Sequence, residues 1–295
     1  MEILGVPIQA LLGQIMLGLV NGAFYAVLSL GLAIIFGLLR IVNFAHGAFF
    51  MAGAFVALLI GRNLGIGYWP AMIIAPLIIG VVGILFERLL LRRIYGLDPL
   101  YGLLLTFGAV LVLEGGFRVA FGSSGNPFPT PPQLMGVWNL GFMILPIYRA
   151  FVIFVAIVAC VGTWILIEKT RMGSYLRAAT ERPELTQSFG INVPVLLTLT
   201  YGAGVALAGF AGVLAAPIQH VNPQMGSDLV IIVFAIVVIG GLGSIVGSAM
   251  TGLGLGIIEG LTKVYYSEAS TTVVFLVMAL VLLLRPAGLF GREEG

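Results

Sequence analysis

Charged side chains are scarce in this sequence: Asp, Glu, Lys and Arg make up 9% of its 295 residues, against 60% hydrophobic residues. Soluble domains carry about 25% charge because an aqueous surface has to be solvated. The composition therefore excludes a soluble domain of this size, and a mean hydropathy of +1.14 agrees. Cysteine is nearly absent too. The single Cys160 lies in an apolar run, which excludes a disulfide framework and reads as a small buried hydrophobe. There are two histidines and no His-Glu-x-x-His run, so no zinc-hydrolase motif exists. A net charge of +2 is too small to suggest a nucleic-acid partner. No lysine sits in the Gly-Lys-Ser/Thr ending that cradles a nucleotide phosphate, since Lys169 follows Glu168 and Lys263 follows Thr262. No cofactor is implied, and energy for any work has to come from a partner or a gradient. The N-terminal stretch lacks a basic n-region and runs on past the length of a signal's h-region, so it reads as a first span rather than a cleavable leader.

What is abundant is apolar length. A hydrocarbon core of about 30 Å takes roughly 20 apolar residues to cross. Candidate spans run Leu11–Leu39, Phe44–Ile60, Trp69–Leu89, Leu100–Phe121, Pro146–Ile167, Val193–Ala216, Leu229–Val246, Ser248–Leu261 and Thr271–Leu284. The expected fold class is all-α: a polytopic transmembrane helical bundle of eight or nine spans in a lipid bilayer. The second and eighth segments are short and glycine-rich and read as broken or re-entrant helices. Basic residues cluster after the third span (Arg88, Arg92, Arg93), after the fifth (Lys169, Arg171, Arg177, Arg182) and after the last (Arg285, Arg292), whereas residues 122–145 and 217–228 carry no Lys or Arg. By the positive-inside rule all three clusters are cytoplasmic if the chain runs N-out, C-in with nine crossings; an even count needs one segment to re-enter on its own side. Residues 122–145, rich in Gly, Ser, Asn and Pro, then form an irregular extracytoplasmic loop. Residues 168–194, the long charge-rich stretch, form a cytoplasmic loop.

Within that loop Met172, Tyr175, Leu176 and Ala179 fall at i, i+3, i+4 and i+7, the apolar stripe of a short amphipathic helix. Pro183 breaks the pattern or starts a second helix, and Gly190 is placed to end that one. From periodicity alone, this pair is either a rigid knob for a soluble partner or a surface link between two spans.

Several motifs resemble one family. They are Gly173-x-x-x-Arg177-Ala178 followed by Gly190-Ile191-Asn192; Gly31-Leu-Ala-Ile-Ile-Phe-Gly37 with Asn43-Phe-Ala-His46-Gly47; Val221-Asn222-Pro223; the glycine run Gly240-Gly241-Leu-Gly243 to Gly247; and Arg285-Pro286-x-Gly288-Leu289-x-Gly291. In this order, over nearly the whole chain, they resemble the LivH-type permeases of branched-chain amino acid ABC importers. The Asn-Phe-Ala-His-Gly block is similar to the LivH-like rather than the LivM-like subunit.

The resemblance implies that residues 1–295 form one transmembrane permease domain of the bacterial plasma (inner) membrane. It implies a LivM-like sister permease, two ATP-binding subunits and a soluble extracytoplasmic substrate-binding protein as partners. It further implies that the chain is not itself an enzyme and that Gly173, Tyr175, Leu176, Arg177, Ala178, Arg182, Gly190 and Ile191 belong to the ATPase-coupling loop. Arg182 and Thr186 depart from the family, which usually has Asp or Asn and a small Ala there.

The interior offers pathway candidates. Glycines crowd residues 31–53 and 240–256, including Gly240, Gly241 and Gly243; matching glycine-interrupted segments point to an inverted repeat and a mid-membrane pathway, or to tight helix packing. Asn43 and His46 sit at such a break, either satisfying freed backbone groups or touching a solute. Glu114 with Arg118, and Glu259 with Lys263, are intramembrane i,i+4 pairs. Each either neutralises itself on one helix face or presents a charge to a hydrated cavity.

Two rivals remain. Gly122-Ser-Ser-Gly125 formally matches the Gly-x-Ser-Gly of intramembrane serine proteases, but it runs into Asn126-Pro127, a loop turn without a helix start or an evident His base. A secondary transporter or channel without an ATPase needs several acidic or His relays in mid-span, and only Glu114 and Glu259 qualify.

Overall fold

A computed structural model describes residues 2–3, 5–39 and 42–291. Eleven α-helices account for most of the described chain: α1 (Ile8–Leu39), α2 (Ala45–Leu64), α3 (Tyr68–Leu89), α4 (Pro99–Phe121), α5 (Ile147–Glu168), α6 (Arg171–Glu181), α7 (Pro183–Ser188), α8 (Val193–Gln219), α9 (Ser227–Gly240), α10 (Ile245–Tyr265) and α11 (Thr272–Leu284). Helix starts follow local chemistry. Asp98 caps α4 by accepting from the Leu100 N–H at 2.9 Å, and Asn192 and Ser244 cap α8 and α10 in the same way. Among the described residues strands are confined to two small hairpins, β1 (Glu2–Ile3) with β2 (Val6–Pro7), and β3 (Val137–Asn139) with β4 (Ile144–Pro146). The second hairpin gives regular pairing to a loop that composition marked only as irregular.

Among the described residues seven helices are long and apolar enough to cross a membrane, and α9 and α11 are shorter apolar helices. The bundle is thus polytopic and all-helical, as expected, but the short elements are not the expected ones. Both glycine-rich segments, the second and the eighth, form helices of 20 and 21 residues, whereas the seventh condenses to 14. At about 1.5 Å per residue, α9 is about 21 Å long, short of a full hydrocarbon core. The physical reason lies at its end. The helix starts at Ser227, ahead of the expected Leu229, but Gly241 and Gly243 at φ +97° and +82° turn the chain directly after Gly240, and the rest of the expected run to Val246 goes to this turn and to the start of α10.

Helix α1 packs lengthwise against α10, and α8 packs against α1, α2 and α3. Backbones approach without intervening side chains. A Cβ on Gly53 would overlap the Gly209 backbone where α2 crosses α8, and one on Gly256 would overlap Gly18 and Gly22 of α1. Small residues at helix crossings are how membrane helices gain van der Waals contact when lipid offers no hydrophobic drive. The buried core gathers Leu28, Phe49, Phe50, Phe55, Tyr201 and Leu214 from α1, α2 and α8. Helices α3, α4, α5 and α11 instead turn apolar faces outward (Leu283 is 83% and Val119 is 90% exposed), which suits lipid and would not suit water.

The two ends of the bundle differ. One end holds the α2–α3 turn, loop 122–145 and the α8 exit, joined by a two-bond bridge between Asn126 and Val221. The opposite end holds the last turn of α3, α6, α7, the α9–α10 turn and the chain after α11. Arg88, Arg92, Arg93, Lys169, Arg171, Arg177, Arg182 and Arg285 all lie at this second, basic end; Arg292 lies outside the described residues.

Candidate functional site

At the basic end α5 hands over to α6 through a close turn. Gly173 is required there, because a Cβ would overlap the backbone of Ile167. Arg177 closes the same turn: its Nη1 donates to the Ile167 carbonyl at 3.1 Å and lies 3.4 Å from the Glu168 carboxylate, a cation placed on the free carbonyls of a helix C-terminus. The two expected short helices are present, with Pro183 in the first turn of α7 and Gly190 at φ +83° after its end.

The register of the stripe differs from the expectation. Gly173, Leu176 and Ala179 form the buried edge, and Met172 and Tyr175 stay exposed. The close α5–α6 turn rotates the helix so that glycine, not methionine, faces inward. Thr186 is buried and returns its hydroxyl to the Arg182 carbonyl at 2.9 Å, so its polar atom is satisfied where a smaller residue would also fit. Ala178, Arg182 and Gly190 are exposed and Ile191 is half-buried.

Sequence reading missed how much apolar surface these two helices and the turn after them leave uncovered. Met172, Tyr175, Leu185 and Phe189 are all exposed, the last by 78%. Phe189 belongs to no periodic run, so its only signal is an aromatic beside Gly190 in a polar segment. Beside α6 lies a cleft of about 540 Å³ between that helix, the ends of α1 and α5, and the α9–α10 turn, lined in part by Gly37, Arg177, Ser244 and Phe290.

The expected pathway residues separate into groups. Gly241 and Gly243, at φ +97° and +82°, make the tight α9–α10 turn, and Gly240 packs on Gly247 at the foot of α10. The motif after α11 caps this turn: the N–H groups of Leu289 and Phe290 donate to the Ile239 and Gly240 carbonyls at 2.8 and 3.2 Å. These glycines therefore sit at the basic end rather than at mid-depth.

Asn43 and His46 lie deeper, at the non-helical entry to α2, and are 1% and 0% exposed. Asn43 Nδ2 donates to the Tyr201 hydroxyl at 3.1 Å, and His46 Nε2 donates to the Leu28 carbonyl at 2.9 Å. Asn43 Oδ1 and His46 Nδ1 have no hydrogen-bond partner among the described residues.

The two i,i+4 pairs behave differently. Lys263 Nζ lies 2.8 Å from Glu259, whose other oxygen accepts from Tyr25 at 2.7 Å, so this pair neutralises itself. Glu114 and Arg118 form no ion pair. Glu114 is half-buried with Oε1 unpartnered, and Arg118 is exposed near the end of α4 away from the basic end.

A further buried carboxylate went unread in the sequence. Glu87 is 1% exposed and accepts from Tyr95 and from Thr198 of α8, each at 2.7 Å. Burial, and then the Glu87 carboxylate, push the Tyr95 phenol above its ordinary range, so it remains a donor. The available signal was spacing: Gly80, Gly83 and Glu87 share the α3 face that meets α8, while adjacency to Arg88 disguised Glu87 as part of a basic cluster.

The Asn126–Val221 bridge brings His220 against Gly125, yet no hydrogen bond joins Ser123 or Ser124 to that ring. Among the described residues no group of three or more His, Cys, Asp or Glu side chains is placed to hold a metal ion.

The family model for the branched-chain amino acid transport system permease component matches residues 14–284. The chain is similar to the high-affinity branched-chain amino acid transport system permease protein BraD of Pseudomonas aeruginosa, with 30% identity over 96% of each chain. It is similar to LivH of Escherichia coli strain K12, a permease protein of the same description, with 31% identity over 96% of each. Similarity to LivM of that strain is lower, 27% over 90% of this chain and 67% of LivM. No solved structure matches the chain.

Proposed function

The chain belongs to the family of branched-chain amino acid transport system permease components, and from that premise we propose that it forms half of the translocation pathway of an ATP-driven amino-acid importer. As a permease of that ABC-type family it works within a heteromeric transporter. The other half is a LivM-like sister permease. Two ATP-binding subunits dock at the basic end, which is cytoplasmic, and a soluble binding protein delivers solute at the opposite face. The chain lies in the bacterial inner membrane as a single permease domain, N-out and C-in with nine crossings, and its solute is leucine, isoleucine, valine or a related amino acid.

The observation that carries this reading is the exposed apolar face of Met172, Tyr175, Leu185 and Phe189 on the most polar segment of the chain. Large apolar side chains held toward water on a rigid helix pair are an interface awaiting a partner. Gly173, Leu176 and Ala179 fix α6 to the bundle, while Arg177 ties it to the end of α5, so force on that face reaches the membrane helices. The pathway candidates are Asn43, His46, Glu114 and Arg118, with Gly240, Gly241 and Gly243 supporting the α9–α10 turn that moves with them. The chain makes no covalent change to its solute; it supplies two conformations and a coupling between them.

The test is to purify the chain with its ATP-binding and sister subunits, reconstitute it with binding protein, and measure which amino acids stimulate ATP hydrolysis. Stimulation by leucine, isoleucine or valine supports the reading. Stable ATPase association without stimulation by any amino acid would assign a different solute class.

A further inference from the structure

Helix α8 is continuous with the docking segment. Only residues 189–192 separate it from α7, and Asn192 caps it, so a displaced α7 pulls on the start of α8. On the second and third turns of α8, Thr198 and Tyr201 stand three residues apart and therefore on one face. Thr198 Oγ1 donates to Glu87 of α3 at 2.7 Å, and the Tyr201 hydroxyl accepts from Asn43 at 3.1 Å. Glu87 is in turn held by Tyr95, in the chain between α3 and α4, at 2.7 Å. All four of Asn43, Glu87, Thr198 and Tyr201 are at most 2% exposed. Water does not compete for these bonds, and their geometry is strict.

The element at the far end of this chain of contacts is unlike its surroundings. Residues 42–44 interrupt the run between two long helices, α2 starts without a side-chain cap, and Asn43 Oδ1 and His46 Nδ1 are buried acceptors without donors among the described residues. A buried unpaired acceptor is unfavourable, and a small shift of the break can relieve it by giving it a partner. Such a segment has reason to hold two arrangements.

We infer that Thr198 and Tyr201 are positioning residues that pass displacement of α6 and α7 to the helix break at Asn43, with Glu87 as the fixed point. Neither residue touches solute or nucleotide. Thr198 sets α8 against α3, and Tyr201 sets the break against α8, so movement of α8 relative to Glu87 has to be shared with Asn43. The inference rests on the proposed docking of ATP-binding subunits, but not on the identity of the solute.

The experiment uses the assembled transporter in vesicles, with Cys160→Ala and a reporter Val42→Cys at the break. Labelling of residue 42 by a membrane-impermeant maleimide is timed with and without ATP plus vanadate, in the presence of the ATP-binding subunits. Nucleotide is expected to change the labelling rate several-fold, and Tyr201→Phe or Thr198→Val is expected to abolish that change while ATP hydrolysis stays within about twofold. Loss of one buried hydrogen bond corresponds to roughly a five- to tenfold change in the equilibrium between the two arrangements of the break, read as the ratio of labelling rates. The double variant Tyr201→Phe/Asn43→Leu should be no worse than the poorer single variant.

A labelling rate that ignores nucleotide in the unmutated network overturns the inference. So does a nucleotide response that persists in Tyr201→Phe, or losses that merely track the amount of assembled complex. Failure of leucine to stimulate hydrolysis, with the labelling response intact, instead counts against the substrate reading alone.

Discussion

Truncating Phe189 separates docking from folding. Its side chain is 78% exposed, so removing it takes nothing from the core of the bundle. A phenylalanine buries 150–250 Å² when enclosed, which leaves roughly 120 Å² or more for a partner to cover. At about 25 cal/mol per Å² that is about 3 kcal/mol. Ordering the ring in the interface costs about 0.5–1.5 kcal/mol, so Phe189→Ala should weaken docking by about 2 kcal/mol, or roughly 30-fold. The assay is a titration of labelled ATP-binding subunit onto the permease pair in lipid nanodiscs, with a thermal melt of the same sample. The melt should stay within about 0.5 kcal/mol of the unmutated protein. Leu176→Ala is the contrast: at 5% exposure it should lower stability by about 2–5 kcal/mol. An unchanged dissociation constant for folded Phe189→Ala would refute the reasoning, and the exposed face would then be no more than a surface link between two spans.

Other consequences follow from packing and charge. Gly254 meets nothing within 4 Å, so Gly254→Ala should stabilise by about 0.4–1 kcal/mol in a melt, whereas Gly53→Ala has to push α2 off α8 and should destabilise by about 1–3 kcal/mol or more; equal effects would contradict the backbone contact. Lys263→Ala should cost about 1–3 kcal/mol by leaving the Glu259 charge, 4% exposed, with Tyr25 as its remaining partner, and adding Glu259→Gln should restore most of that stability. A double variant less stable than Lys263→Ala alone would refute the pairing. Gly190→Val forces a β-branched residue to φ +83° and should lower both stability and coupling, while Gly190→Asn should be milder because Asn tolerates that region. The order is read from melts and ATP-driven uptake, and a Val variant equal to the Asn variant would count against it.

The outline of the fold was legible because lipid imposes it. Each apolar segment foretold an apolar helix among the described residues, and Pro183 and Gly190 foretold the start and end of α7. Helix lengths were less legible where side chains rescue polar positions. The eighth segment extends past Thr262 and Lys263 because Glu259 neutralises the lysine, while the seventh is cut short by the positive-φ turn at Gly241 and Gly243. Periodicity placed the stripe of α6 but not its rotation, since a glycine that packs backbone on backbone carries no hydropathy signal. Glu87 was hidden for a related reason. Its partners lie 8 and 111 residues away, and no local pattern announces such a pairing. The glycines near residue 240 invited a pathway reading, yet two of them serve a positive-φ turn.

The most direct measurement compares leucine uptake into vesicles containing the assembled transporter under two losses: an ionophore that collapses ion gradients, and ATP-binding subunits that cannot hydrolyse ATP. Uptake that survives the ionophore and stops with the inactive ATP-binding subunits is the predicted result. Uptake that collapses with the ionophore yet continues without ATP hydrolysis would make the chain a gradient-driven transporter and contradict the account.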